Sequence, residues 1–192
     1  VNDFKNRIVE DDVDAEDYHE FLSNFGSYLD IEKPSLISNL SYFINFQLSK
    51  MYFRYFMWNF SGRQNDKQWK YGLEDGNWLS GIEIIDKYRL GPQKNLPDDA
   101  LNNKARNIYF MIPFLLGLIG FFFIFNKSFK ILWPILLLFL FTGIALKFYL
   151  NERIFEPRER DYALVGSFYS YCIFIGFSFI AICESVSYTH LT

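Results

Sequence analysis

Three long apolar runs, Ile108–Phe125, Ile131–Leu150 and Tyr162–Cys183, limit what this chain can fold into. The first and third carry no charged residue, and the second carries only Lys147, one turn from its end. At about 1.5 Å of rise per residue, helices of these lengths reach about 27–33 Å, the hydrocarbon thickness of a bilayer. A soluble surface helix keeps one polar side for water. Here Phe121, Phe122 and Phe123 point three ways around one turn, and Leu136–Leu140 is apolar throughout. The pattern predicts an all-α, polytopic helical membrane protein with spans at 108–125, 131–150 and 162–183, within a membrane region 108–185.

A mean hydropathy of +0.02 hides this, because charge is segregated along the chain. Residues 1–33 hold ten acids and three bases, net −7; residues 34–107 hold ten bases and seven acids, net +3. The first region reads as an acidic, solvated and partly disordered segment. Asp12, Asp14 and Glu16 alternate as in a calcium loop, but the glycine and closing glutamate of that pattern are missing, and no metal site is expected. His19 reads as a surface residue of this segment.

The ends read as those of a fragment. The chain opens on Val1 with no signal-peptide pattern, and Val186–Thr192 reads as one frame of a sequencing-library adapter, so 186–192 is expected to be an artefact and Tyr188 and His190 carry no weight. Cys172 and Cys183, eleven apart on one predicted helix, lie about 16 Å apart along its axis and cannot bridge within it. Walker, dinucleotide, zinc and serine-elbow motifs are absent from the sequence.

Residues 34–107 form an aromatic extramembrane region that is helical in part. Leu36, Leu40, Ile44, Leu48, Tyr52, Phe56 and Phe60 recur every fourth residue, and nine of the nineteen residues Tyr42–Phe60 are aromatic. Lys50, Arg54 and several amides break any clean span. An amphipathic helix lying at the membrane surface is the expectation, with packing into a globular extramembrane domain as the other reading. A turn-rich stretch, Arg63–Gly81, and a short helix, Ile82–Leu90, follow.

The link Asn126–Lys130 permits only a tight hairpin, making the first two spans antiparallel neighbours. The second connection, Asn151–Asp161, is charged at seven of eleven positions. Arg158 and Arg160 are spaced to grip one anion, and guanidinium is the natural fork for phosphate; beside a membrane that means the phosphate of a lipid or lipid-linked substrate. Glu156, Glu159 and Asp161 would orient the arginines or meet a sugar hydroxyl. The plain alternative is a solvated loop whose charges pair with one another and with headgroups. Glu152, farther from the third run, reads as loop charge whose loss is mild.

EPRERDYALVGSFY at 156–169, RYFMWNFSGRQND at 54–66, GNWLSGIEIID at 76–86 and the stretch 89–120 resemble a bacterial family of large multi-spanning membrane proteins. That family carries a domain labelled as of unknown function and is related to protein O-mannosyl-transferases. The resemblance, over about residues 20–183, implies a GT-C-like bundle that transfers sugar from a polyprenyl-phosphate donor on the extracytoplasmic face of the cell membrane. It implies the bilayer, a lipid-linked sugar and an acceptor protein as partners, and no nucleic acid. It assigns no catalytic residue, since the acidic general base of such enzymes lies in an early outer loop, expected upstream of this chain. On this reading Arg158 and Arg160 hold phosphate, Arg63, Asn65 and Asp66 are weaker sugar- or acceptor-side candidates, and Gly76, Gly81 and Pro157 shape backbone. A lipid or solute transporter and a non-catalytic membrane scaffold are the alternatives; a transporter should show a repeat or a broken span with buried ionisable groups, and neither appears in the three runs.

Overall fold

A computed structural model of the 192-residue chain describes residues 15–26, 34–69, 72–94, 96–153 and 160–190. Within the acidic segment, helix α1 (Ala15–Phe25) places Glu16 and Asp17 in its first turn, where carboxylates favour the helix dipole, and leaves His19 exposed. The described residues are mostly helical, with one two-stranded sheet.

Helix α2 runs unbroken through residues 36–60. Ser35 caps it, its hydroxyl accepting from the Ser38 amide at 3.1 Å. Its middle, Phe43–Phe53, is wound more widely than an α-helix, and Arg54–Phe60 closes it. Strand β1 (Gly62–Arg63) follows at once and pairs antiparallel with β2 (Asn107–Ile108). Between the strands lie helices α3 (Glu83–Leu90) and α4 (Asp98–Leu101). Three apolar helices complete the fold: α5 (Ile112–Lys127), α6 (Phe129–Leu150) and α7 (Val165–His190), the last preceded by a tight turn at Asp161–Leu164.

Two of these helical stretches, Phe129–Leu150 and Asp161–Ser187, are each long and apolar enough to cross a bilayer. The third differs from expectation. Its helix starts at Ile112 rather than Ile108 and has 16 residues, about 24 Å. The first residues of that apolar run go elsewhere: Ile108 pairs with Gly62, the Tyr109 amide donates to the Ser61 carbonyl, and Phe110 and Met111 take left-handed backbone. Pro113, whose missing amide costs nothing in a first turn, then favours a start at this point.

Ser128 alone separates α5 from α6, so the hairpin is as tight as its length demanded. Helix α7 returns parallel to α5, with Phe114 beside Tyr171, Phe121 beside Phe174, and Lys127 paired with Glu184. It runs antiparallel to α6, where Gly143 meets Ser167 and Phe139 meets Tyr171. Because α5 pairs with α7 from Tyr171 onward, the earlier turns of α7 offer a surface that α2 covers. Tyr52 donates to or accepts from Ser167 at 2.7 Å, and Phe56 and Phe60 pack against Phe168 and Tyr171.

This corrects the picture of α2 as a helix lying along a surface. Its first half does leave Leu36, Ile37, Leu40 and Ile44 exposed. Its second half buries Tyr52, Arg54, Tyr55, Phe56, Met57 and Phe60, side chains that spread over most of the helix and leave Phe53 and Asn59 exposed. Every-fourth-residue periodicity captured one face only; the unequal reach of α5 and α7 supplies neighbours for the others.

The core contains Phe56, Met57, Phe60, Ile124, Leu132, Tyr171 and Phe174. The Tyr171 hydroxyl donates to the Phe114 carbonyl at 2.6 Å, giving a buried phenol its partner. Close approach of α5 to α7 depends on Gly120, where a Cβ would fall 1.7 Å from the Phe174 carbonyl oxygen. Gly120→Val should therefore push the helices apart and lower stability in detergent by about 1–3 kcal/mol. Gly176→Ala, with nothing within 4 Å, serves as the control and should cause no loss. Equal thermal unfolding of the two variants would contradict this packing.

Candidate functional site at the second connection and the aromatic module

A buried ion pair lies where α6 ends. Asn151 adopts left-handed backbone (φ 42°) and its amide returns to the Lys147 carbonyl at 3.1 Å, a common way for a helix to stop. The chain reverses there and folds Glu152 back over the last turn. The Lys147 ammonium donates to Glu152 Oε2 at 2.6 Å, and the two side chains are 0 % and 1 % exposed. Gln47 Nε2 donates to the Glu152 carbonyl at 2.5 Å, and the Tyr42 hydroxyl donates to the same oxygen at 2.9 Å. Glu152 thus ties α6 to α2. Its second carboxylate oxygen and Gln47 Oε1 are buried without a hydrogen-bond partner among the described residues. Arg54 and Asp161 are close enough to act on the Lys147 charge.

Of the residues singled out in the charged connection, Arg160 and Asp161 are exposed where the chain enters the turn before α7. The Arg160 carbonyl accepts from the Ala163 amide at 3.3 Å, and Asp161 Oδ1 accepts from the Tyr162 amide at 2.9 Å. Glu156, Pro157, Arg158 and Glu159 lie outside the described residues.

The aromatic module holds the other candidates. Arg63 Nε donates to the Ala105 carbonyl at 3.1 Å, and its guanidinium stands 5.5 Å from the Trp58 ring centre. Asn65 is buried and organises its loop. Its carbonyl oxygen accepts from the Gly76 and Lys67 amides, and its NH2 donates to Asp75 at 2.6 Å. Asp66 is exposed. Gly76 and Gly81 take left-handed backbone, at φ 70° and 76°. Beside Gly81, buried Asp86 accepts from the Ser80 and Gly81 amides at 2.8 Å each and from the Ser80 hydroxyl at 2.9 Å. A cleft of about 650 Å³ opens next to Asn65, with Gln64, Asp75, Gln93, Asn103 and Arg106 among its lining residues. Burial holds the Arg106 guanidinium below its ordinary pKa, against the opposing pull of Asp86. The cleft is thus mixed: amides supply donors and acceptors beside the Lys67 and Arg106 cations and the Glu74 and Asp75 carboxylates, over an apolar floor that includes Leu90 and Leu96, a chemistry that would accept a hydroxylated ligand.

Arg54 joins the module to the bundle. It is 2 % exposed, donates through Nη1 to the Gly76 carbonyl at 2.7 Å and through Nε to the Lys50 carbonyl at 2.9 Å, and stacks 4.2 Å from the Tyr55 ring centre. Sequence reasoning took Arg54 as a reason against a span and missed its role, together with those of Gln47, Lys147 and Glu152. One signal was available: a lone lysine in an otherwise uncharged run calls for a partner. Among the described residues no cluster of three or more His, Cys, Asp or Glu is placed to hold a metal ion. No protein-family model, curated protein or solved structure matches this chain.

The buried pair reverses the expectation for Glu152. Removing one partner leaves the other charge uncompensated in a dry site, at a cost of about 3–5 kcal/mol. Glu152→Gln should lower stability by that order, whereas Arg153→Gln, at an exposed neighbour, should stay within about 0.5 kcal/mol. Detergent unfolding curves check this; a mild Glu152→Gln effect would return Glu152 to the class of loop charges.

Proposed function

We propose that the chain is part of a multi-pass cell-membrane glycosyltransferase of the GT-C-like kind, which transfers sugar from a polyprenyl-phosphate donor to an extracytoplasmic acceptor. The observation that supports this reading is the contact of the second connection with α2 through Glu152, Gln47 and Tyr42. Because of it, the charged connection approaches the helix that carries the aromatic module. A lipid-linked sugar needs both kinds of surface: cations for its phosphate and a polar cleft for its hydroxyls. Arg160, with Arg158, holds the phosphate; Arg63, Asn65 and Asp66 stand on the sugar or acceptor side.

On this reading α5, α6 and α7 are three passes, with Asn126–Lys130 in the cytoplasm and Asn65 and Glu156 outside. The 24 Å of α5 is a short pass, offset by thinning of the bilayer or by flanking residues that reach the interface. Labelling of a cysteine at position 128 by an impermeant reagent in intact cells, with position 65 protected, would reverse the orientation.

A transporter is the second reading, favoured by one specific observation: Lys147 is fully buried at the end of an apolar helix, as ion-coupling residues often are. Its pairing with Glu152 and the tie to α2 give it an anchoring task that needs no transport. In the full-length protein in membranes, Arg160→Ala or Arg158→Ala should lower transfer of labelled sugar from a polyprenyl-phosphate donor about ten- to a hundredfold, the loss of one charged hydrogen bond to phosphate. The lysine variants should recover part of it, since charge remains and the fork is lost. Unchanged turnover and donor affinity in both alanine variants would defeat the phosphate assignment. Coupled ion uptake in proteoliposomes that is abolished by Lys147→Met, with no sugar transfer by the wild type, would favour the transporter.

A further inference from the structure

On the outer side of α2, beside the Arg63–Trp78 bridge, cations and aromatic rings alternate. Lys50 Nζ lies 4.7 Å from the Trp69 ring centre, and the Arg89 guanidinium lies 3.5 Å from the Trp78 ring centre. Phe53 meets Trp78 edge-on at 6.2 Å and is 41 % exposed. Lys50, Trp69, Trp78 and Arg89 are half-buried, which leaves each a face toward the surroundings. Among the described residues no carboxylate lies within ion-pair distance of Lys50 or Arg89, although buried Asp86 acts on the Arg89 charge from farther off. Arg54, fixed behind them by the Gly76 and Lys50 carbonyls, adds to the positive field.

We propose that Lys50 and Arg89, framed by Phe53, Trp69 and Trp78, bind the phosphate of an anionic membrane lipid. Arg54 and Arg89 both act on the Lys50 charge, and an anion between Lys50 and Arg89 relieves that repulsion. Burial, followed by the charges of Arg54 and Arg89, holds the Lys50 ammonium below its ordinary pKa, the state that an incoming phosphate would reverse. Arg89 adds a planar donor fork, although one of its nitrogens already donates to the Trp78 carbonyl at 3.3 Å. Two features select a lipid over a soluble anion. The rings have the amphipathic chemistry that seats tryptophan at headgroup depth. Trp78 also packs against the core cluster that Met111 and Phe114 border, and nearby Gly81 lies against the Ile108 and Phe110 side chains at the approach to α5, where Phe110, Ile112 and Leu115 are exposed and available to acyl chains. The site stands whether or not the protein transfers sugar.

The test is quenching of tryptophan fluorescence by brominated lipids in nanodiscs holding the full chain with Trp133→Phe, which removes the tryptophan exposed on α6. Brominated phosphatidylglycerol should half-saturate quenching at a mole fraction about tenfold lower than brominated phosphatidylcholine, as expected for two cations at a lipid surface. The double variant Lys50→Gln/Arg89→Gln should erase that preference. Lys50→Arg/Arg89→Lys, which keeps both charges, should retain most of it and shows that the fold tolerates change at these positions. Equal quenching by the two lipids, or a preference unchanged in the glutamine variant, overturns the proposal. Displacement of phosphatidylglycerol by inorganic phosphate at equal concentration assigns the site to a soluble anion and overturns it as well.

Discussion

The Lys147–Glu152 pair fixes the relation between the apolar helices and everything packed beside them. A lysine with no exposed surface cannot remain charged beside hydrocarbon without a partner, and the partner comes from the residue just past the helix end. Asn151 makes this possible by ending α6 in left-handed backbone, which turns Glu152 inward. With Glu152 held there, its carbonyl is presented to Gln47 and Tyr42, and α2 is registered against α6 by hydrogen bonds that tolerate little sliding. Such a pair contributes little net stability compared with a well-packed apolar substitute. Its value here is position: it sets where the second connection begins.

From that anchor the rest is packing. Tyr52 meets Gly143 and Ser167 at a three-helix junction, and both α2 and α6 are wound wide there, at Phe43–Phe53 and Phe141–Ala145. Wide turns are rare and cluster where a helix must adjust its register to a neighbour. One turn further, Phe56 touches Phe114, Phe139, Phe168 and Tyr171, so one ring contacts α5, α6 and α7. Small residues at Gly117 and Gly120 bring α5 close enough to α7 for these contacts to form, since no Cβ stands between the two helices at those positions.

The helical class, the tight hairpin at Ser128 and the apolar character of α6 and α7 were legible in the sequence, because each follows from local composition and length. The start of α5 was not. Ile108 reads as apolar helix, yet it is drawn into a strand by Gly62, which lies 46 positions earlier in the chain. The burial of α2 escaped for a similar reason: amphipathic periodicity reports the most apolar face, while Arg54, Tyr55 and Met57 are covered by partners that only the tertiary arrangement supplies. Asn65 entered the sequence reading only as a sugar- or acceptor-side candidate implied by the family resemblance. Its use, three hydrogen bonds that shape a loop, depends on Asp75 and Gly76 arriving from ten and eleven residues away. Glu152 was the plainest miss, because a pairing across a helix end has no periodic signature.

The measurement that bears most directly on this account is the coupling energy between Lys147 and Glu152. It comes from unfolding of the wild type, Lys147→Met, Glu152→Gln and the double variant in the same detergent. A buried, mutually dependent pair predicts that each single change is severe and that the double change costs much less than their sum, with a coupling of about 2 kcal/mol or more. Additive effects, within about 0.5 kcal/mol, would mean that the two charges do not depend on each other and that the second connection is held in some other way.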